Sequence, residues 1–304
     1  MRHFLTIIDN DPDTLRHLLD EAARLKAEVT RGQFQDTLRH KIVGLVFEKP
    51  SLRTRISFEA GVAQLGGSSL FQAGSEVGLG VRETVADFAR TMSQFVNCIV
   101  LRVFRHATVE GVANYATVPV VNGLSDTSHP CQAMADLLTL RECFGDEKGK
   151  TIAFVGDGNN VARSLAVLCG KLGVRFVLAR PDGYGFPAEF AKNYTRHVSP
   201  KLPEEFADPA EAVKKADVIY TDVWTSMGQE AEREQRLREF APYQVNAALL
   251  KKAPKRAKVF HCLPAHRGEE ITDDVMEGPA SVVFQQAGNR MHAQKAILEW
   301  LLKG

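Results

Sequence analysis

Near the N-terminus, apolar residues recur at helical spacing. Leu15, Leu18, Leu19, Ala22 and Leu25 share one face, Asp11 stands at the cap position and Pro12 at the first helical position. That combination predicts an amphipathic helix whose first free N–H groups find a side-chain acceptor. The pattern then changes to short, nearly unbroken apolar runs at 42–47, 69–72, 98–103 and 118–121, and further on at 151–155, 174–178, 217–221, 258–262 and 281–284. Each has strand length, and patterned segments of helix length separate them. Such alternation predicts parallel sheets with helices on both faces, because parallel neighbours need a crossover and a strand covered on two sides carries no polar alternation. The charged stretch 145–150 interrupts the pattern and divides the chain into two doubly wound α/β domains. The segment 291–302 returns to helical amphipathicity.

Length and charge narrow the function. The 304 residues suit two domains, each large enough to bury a core. Lys and Arg total 38 against 37 Asp and Glu, so no general field favours nucleic acid or an acidic membrane, and any anion must be bound locally. The five cysteines are odd in number, lack C-x-x-C spacing and fall mostly in apolar segments, which favours a reducing compartment. The apolar stretch 4–8 is too short for a signal-peptide core and no segment approaches a membrane span, so a cytoplasmic location is expected.

Residues 47–59 carry the first candidate chemistry: Phe47-Glu48-Lys49-Pro50-Ser51-Leu52-Arg53-Thr54-Arg55-Ile56-Ser57-Phe58-Glu59. An apolar strand exits into a helix start, placing Ser51 to Thr54 on the first turn. There unpaired backbone N–H groups, the positive end of the helix dipole and a planar guanidinium all favour a phosphate. A second cluster, His129-Pro130-Cys131-Gln132-Ala133-Met134-Ala135-Asp136, follows another apolar run. The turn Gly156-x-Gly158 follows a third, but Val161 occupies the last glycine position of G-x-G-x-x-G, so a dinucleotide is not signalled. These motifs fall at strand ends, where open parallel sheets bind ligands.

The S-x-R-T-R and H-P-x-Q motifs, with Gly156–Asn160, Asp222–Gly228, His261-Cys262-Leu263-Pro264 and Asn289-Arg290-Met291-His292, are similar to those of the aspartate/ornithine carbamoyltransferase family, most closely in its ornithine branch. The resemblance implies transfer of the carbamoyl group of carbamoyl phosphate to the side-chain amine of L-ornithine, giving L-citrulline and phosphate in arginine metabolism. It assigns phosphate to Ser51, the Leu52 backbone, Arg53, Thr54 and Arg102. His129 and Arg102 become donors to the carbonyl oxygen, Gln132 and the Cys262-Leu263 backbone take the carbamoyl nitrogen, and Arg290 lies at the carbamoyl end. Asn160, Asp222, Ser226 and Met227 hold the α-groups of ornithine, while Cys262 meets its side-chain amine. The proton that amine must lose can pass to the Cys262 thiolate or to phosphate.

The same resemblance implies a carbamoyl-phosphate domain, 1–147 plus a returning C-terminal helix 290–304, an ornithine domain, 148–289, and a homotrimer or a multiple of trimers. No cofactor or metal is expected. Three positions depart from the family pattern: Leu52 within S-T-R-T-R, Gly78 where a neighbouring subunit often supplies Gln, and Gln285-Gln286 in place of acidic residues before Asn289-Arg290. Arg82 is the candidate replacement for the contact Gly78 lacks. These departures leave open an N-acylornithine or other amine acceptor, or an inactive carbamoyl-phosphate-binding protein.

Overall fold

A computed structural model describes residues 1–74, 78–79, 82–225 and 230–303. Strand β1 (Ile42–Phe47) is buried at all but its first residue, which is why its sequence lacks polar alternation. Strands β2 (Ser68–Ala73), β3 (Cys98–Arg102) and β4 (Val120–Leu124) join it in a parallel sheet of order β2-β1-β3-β4. The helices of this half are α1 (Pro12–Thr30), α2 (Leu52–Gln64), α3 (Val85–Phe95), α4 (His106–Tyr115) and α5 (Pro130–Phe144). Helix α1 begins as its sequence predicts. Asp11 accepts the Thr14 N–H at 2.8 Å, and the five expected apolar side chains are buried.

The second sheet contains β5 (Thr151–Val155), β6 (Arg175–Ala179), β7 (Glu204–Phe206), β8 (Val218–Thr221) and β9 (Lys258–His261), parallel in the order β7-β6-β5-β8-β9. Its helices are α6 (Asn160–Leu172), α7 (Ala188–His197), α8 (Pro209–Val213), α9 (Arg233–Phe240), α10 (Ala247–Leu250) and α11 (Asp273–Met276), and α12 (Val283–Leu302) closes the chain. Phe154, Tyr220 and Phe260 are cross-strand neighbours and form an aromatic row, with ring centroids 5.0 and 6.1 Å apart. Two compact units result: Met1–Leu138 with Gly288–Gly304, and Thr139–Ala287.

The expected strand at 281–284 is corrected. Ser281 makes an isolated bridge to Val259 and α12 starts at Val283. An apolar run as short as Val282-Val283-Phe284 fits either period, and the helical continuation through Gln286 and Asn289 decides it. Strand β7 was not anticipated, because Glu204-Glu205-Phe206 is a polar edge segment. From Gly288 onward α12 packs on the first unit: Lys26 Nζ donates to Asn289 Oδ1 at 2.7 Å, Lys295 Nζ to Gln64 Oε1 at 3.0 Å, and Trp300 meets Phe4 edge-on. Among the described residues no helix is long and apolar enough to cross a membrane.

Each sheet reverses its strand order once, and register sets the consequences. In the first, Phe47 pairs with Arg102 and Arg102 with Leu124; in the second, Val155 pairs with Thr221 and Thr221 with His261. The loops after these residues therefore emerge side by side at the reversal, the usual ligand crevice of such sheets.

Candidate active site

In the first unit Ser51 caps α2. Its Oγ accepts the Thr54 N–H at 3.3 Å and shares a hydrogen bond with Thr54 Oγ1 at 3.0 Å. Thr54 is fully buried and its hydroxyl takes Arg290 Nη2 at 2.7 Å and Arg102 Nη1 at 3.4 Å. One hydroxyl thus draws together guanidinium groups from α12 and β3 at the positive end of α2. Leu52 turns its side chain out, 74% exposed, so its backbone alone can serve this cluster and the departure from Thr is tolerated. Arg55 belongs elsewhere: it lies 3.8 Å over the Phe71 ring and pairs with Glu59.

His129 joins the same cluster. Burial first, then the guanidinium groups of Arg290, Arg102 and Arg53, holds its imidazole well below the ordinary value, so the ring is neutral and offers one N–H. The loop that delivers it is framed by His106, whose Nδ1 meets Ser125 Oγ at 2.8 Å, and by the Ser125 N–H bond to the Ser128 carbonyl. On α5, Gln132 Nε2 donates to Asp136 Oδ1 at 2.8 Å, whereas Gln132 Oε1 is buried and has no hydrogen-bond partner among the described residues. Burial pushes the neighbouring Cys131 thiol up to about 12, which leaves it inert.

In the second unit Asp222, just beyond β8, is the hub. Its Oδ1 accepts from Cys262 Sγ at 2.9 Å, and its Oδ2 from Asn159 Nδ2 at 2.9 Å. Asn159 also caps α6 through Oδ1, accepting the Val161 and Ala162 N–H groups at 3.0 Å. Asn160, the residue expected at the site, is the first of that helix. Leu263 adopts a left-handed backbone, φ 57°, and its N–H donates to His261 Nδ1 at 2.8 Å. The imidazole therefore carries its proton on Nε2, which faces Glu270 Oε1 at 3.0 Å within a fully buried pair. Arg236 ties two of these loops together, donating to Asp157 Oδ2 at 2.7 Å and to the Trp224 carbonyl at 3.0 Å. One donor atom each from Asp222, His261 and Cys262 lies within 4.8 Å of the others, but all three are engaged with protein partners. Ser226 and Met227 lie outside the described residues.

Residues 2–142 match the family model for the carbamoyl-P binding domain of aspartate/ornithine carbamoyltransferases, and residues 148–301 match that for the Asp/Orn binding domain. The chain belongs to the aspartate/ornithine carbamoyltransferase family. It is 50% identical to ornithine carbamoyltransferase of Archaeoglobus fulgidus over 302 residues, covering 99% of this chain and 98% of that one. Identity to the Bacillus subtilis ornithine carbamoyltransferase is also 50%, over 99% and 94% of the two chains. The solved ornithine carbamoyltransferase of Pyrococcus furiosus superposes with a TM-score of 0.96 at 48% identity, over 100% and 97%.

Within this family fold the structure gathers Ser51, Arg53, Thr54, Arg102, His129, Gln132 and Arg290 in one unit, and Asn160, Asp222, Cys262 and Leu263 in the other. Sequence reasoning passed over Asn159, Asp136 and Arg236. Asn159 adjoins the expected Asn160 and carries the same amide, so only cap geometry separates them. Asp136, four residues after Gln132, was a readable i, i+4 signal. Arg82, the candidate replacement for Gly78, is exposed and lines a groove of about 590 Å³ beside β2 with Leu70, Gln72 and Phe95.

Proposed function

We infer that this chain transfers the carbamoyl group of carbamoyl phosphate to the side-chain amine of L-ornithine. Half-identity to ornithine carbamoyltransferases along almost the whole chain carries the reading. The first turn of α2 takes the phosphate through Ser51, the Leu52 backbone, Arg53 and Thr54, with Arg102 beside them. His129, neutral and buried, donates with Arg102 to the carbonyl oxygen as it gains charge. Gln132 accepts from the carbamoyl nitrogen, as does the Cys262-Leu263 backbone, and Arg290 braces the carbamoyl end. Asn160, Asp222, Ser226 and Met227 hold the α-ammonium and α-carboxylate of ornithine, and Cys262 meets the reacting amine.

The amine lone pair forms a new C–N bond at the carbonyl carbon, and the C–O bond to phosphate breaks with its electrons. The amine proton leaves to the departing phosphate or, once the thiol has lost its own proton to solvent, to Cys262 Sγ. We assign 1–147 with 290–304 to carbamoyl phosphate and 148–289 to ornithine, a division supported by the spans of the two family models. A homotrimer is supported by large apolar side chains left exposed in the first unit: Leu52 and Ile56 on α2, Leu70 on the edge strand β2, and Phe95 at the end of α3. The five free cysteines fit the cytoplasm, and likeness to the anabolic enzyme of Pyrococcus furiosus favours the biosynthetic direction.

The test is colorimetric citrulline formation, with ornithine, N-acetylornithine, putrescine and aspartate offered in parallel assays. Turnover of ornithine well above the other three is expected. Turnover of N-acetylornithine or putrescine in its place would reassign the acceptor, and no turnover with any amine would leave a binding protein.

A further inference from the structure

Gln132 and Asp136 stand one turn apart on α5, 1% and 0% exposed. Their neighbours Cys131, Ala133, Met134, Ala135, Leu137 and Leu138 are apolar and buried. The Asp136 carboxylate fixes the direction of an amide. Asp136 Oδ1 accepts the Gln132 Nε2 hydrogen at 2.8 Å, and with Nε2 held there the amide oxygen faces the other way. Gln132 Oε1 is thereby committed to the other side, buried and with no hydrogen-bond partner among the described residues. A buried acceptor of this kind is expensive unless a donor arrives.

We propose that Asp136 is a positioning residue that makes the site specific for a carbamoyl group, by locking the Gln132 amide with its oxygen toward the ligand. This rests on the placement of Gln132 at the carbamoyl nitrogen given above. A carbamoyl –NH2 donates to Oε1. A carboxyl group of the same shape presents an oxygen there instead, which Oε1 repels, and the lock prevents the amide from turning over to donate to it. Sites built around a buried hydrogen bond discriminate strongly against analogues that lack it.

Phosphonoacetamide and phosphonoacetate are stable probes that differ at this one group, and isothermal titration gives their affinities, with inorganic phosphate as the reference. The wild type is expected to prefer the amide. In Asp136→Asn the freed Gln132 can turn to donate, so phosphonoacetate binding should improve and the preference should shrink about tenfold, with phosphate binding within about twofold of wild type. Asp136→Ser, measured in parallel, keeps the result independent of how one variant folds. The double variant Gln132→Leu/Asp136→Asn should show no gain for phosphonoacetate. A gain that survives in the double variant reflects lost charge alone and overturns the proposal, as does an unchanged preference in both Asp136 variants. If Gln132→Leu alone weakens phosphonoacetamide while the Asp136 variants keep the wild-type preference, the placement of Gln132 stands and the lock is refuted. If Gln132→Leu leaves phosphonoacetamide unaffected, the placement itself fails, and the proposal with it.

Discussion

Both carboxylate oxygens of Asp222 are already occupied, Oδ1 by the Cys262 thiol and the Val223 N–H and Oδ2 by the Asn159 amide. Those bonds fix the orientation of the carboxylate in advance of an α-ammonium. Asp222→Asn retains the shape, removes the charge and sets an amide donor against at least one of the three existing donors. The ornithine KM should rise at least about tenfold, because charge-assisted bonds contribute about 1.5–3 kcal/mol. Carbamoyl phosphate affinity should change much less, since its proposed phosphate contacts, Ser51, Arg53, Thr54 and Arg102, lie in the other unit. Steady-state kinetics with each substrate varied in turn check this, and an unchanged ornithine KM and kcat would make Asp222 merely structural. Residue types were legible here: the phosphate turn, His129, Gln132 and Cys262 could all be named from motifs. What could not be read was orientation. That Gln132 presents oxygen, that Leu263 is left-handed, and that Asn159 rather than Asn160 bonds Asp222 all depend on partners distant in sequence or on cap geometry.

At the scale of elements, register does the positioning. Pairing of Val155, Thr221 and His261 across three strands delivers Asn159, Asp222 and Cys262 to one place, and each belongs to a loop that starts within a few residues of its strand. Gly158 belongs to this arrangement. A Cβ there would lie 2.8 Å from the backbone carbonyl carbon and oxygen of Gly185, so the glycine is required by close backbone approach rather than by a pyrophosphate. Gly158→Ala should therefore push the 156–160 loop away from 185, at a cost of about 1–3 kcal/mol. Chemical denaturation should give a lower midpoint, and kinetics a raised ornithine KM with the carbamoyl phosphate KM nearly unchanged. Wild-type stability and kinetics would mean that the 185 segment yields freely. Most strands were legible because both-sided burial writes itself as unbroken apolar runs. The exceptions have physical causes: β7 is an exposed edge with two glutamates, and 281–284 satisfies the strand and helix patterns alike.

For the whole molecule, the question is how the phosphate turn is completed. Gly78 lies in a left-handed conformation, φ 61°, and its carbonyl accepts the Arg82 N–H at 2.7 Å, so Arg82 is held close to the position that lacks a side chain. Its guanidinium is exposed beside a groove whose apolar rim suits a second copy of the chain. For the proposed trimer the expectation is that Arg82 reaches the phosphate of an adjacent subunit, a task its long planar fork can perform where glycine cannot. Arg53→Ala would remove the proposed phosphate contact within a subunit, and Arg82→Ala the one proposed to be lent to its neighbour. Each variant alone should lose most activity. Trimers reassembled from a mixture of the two contain sites that pair an intact Arg53 with an intact Arg82 from next door, so activity should return in proportion to such pairs. Mixing after dissociation, with recovery of citrulline formation measured against the subunit ratio, gives the answer. Full activity of Arg82→Ala by itself, or a mixture no more active than its parts, would confine the phosphate site to one chain and leave Gly78 without compensation.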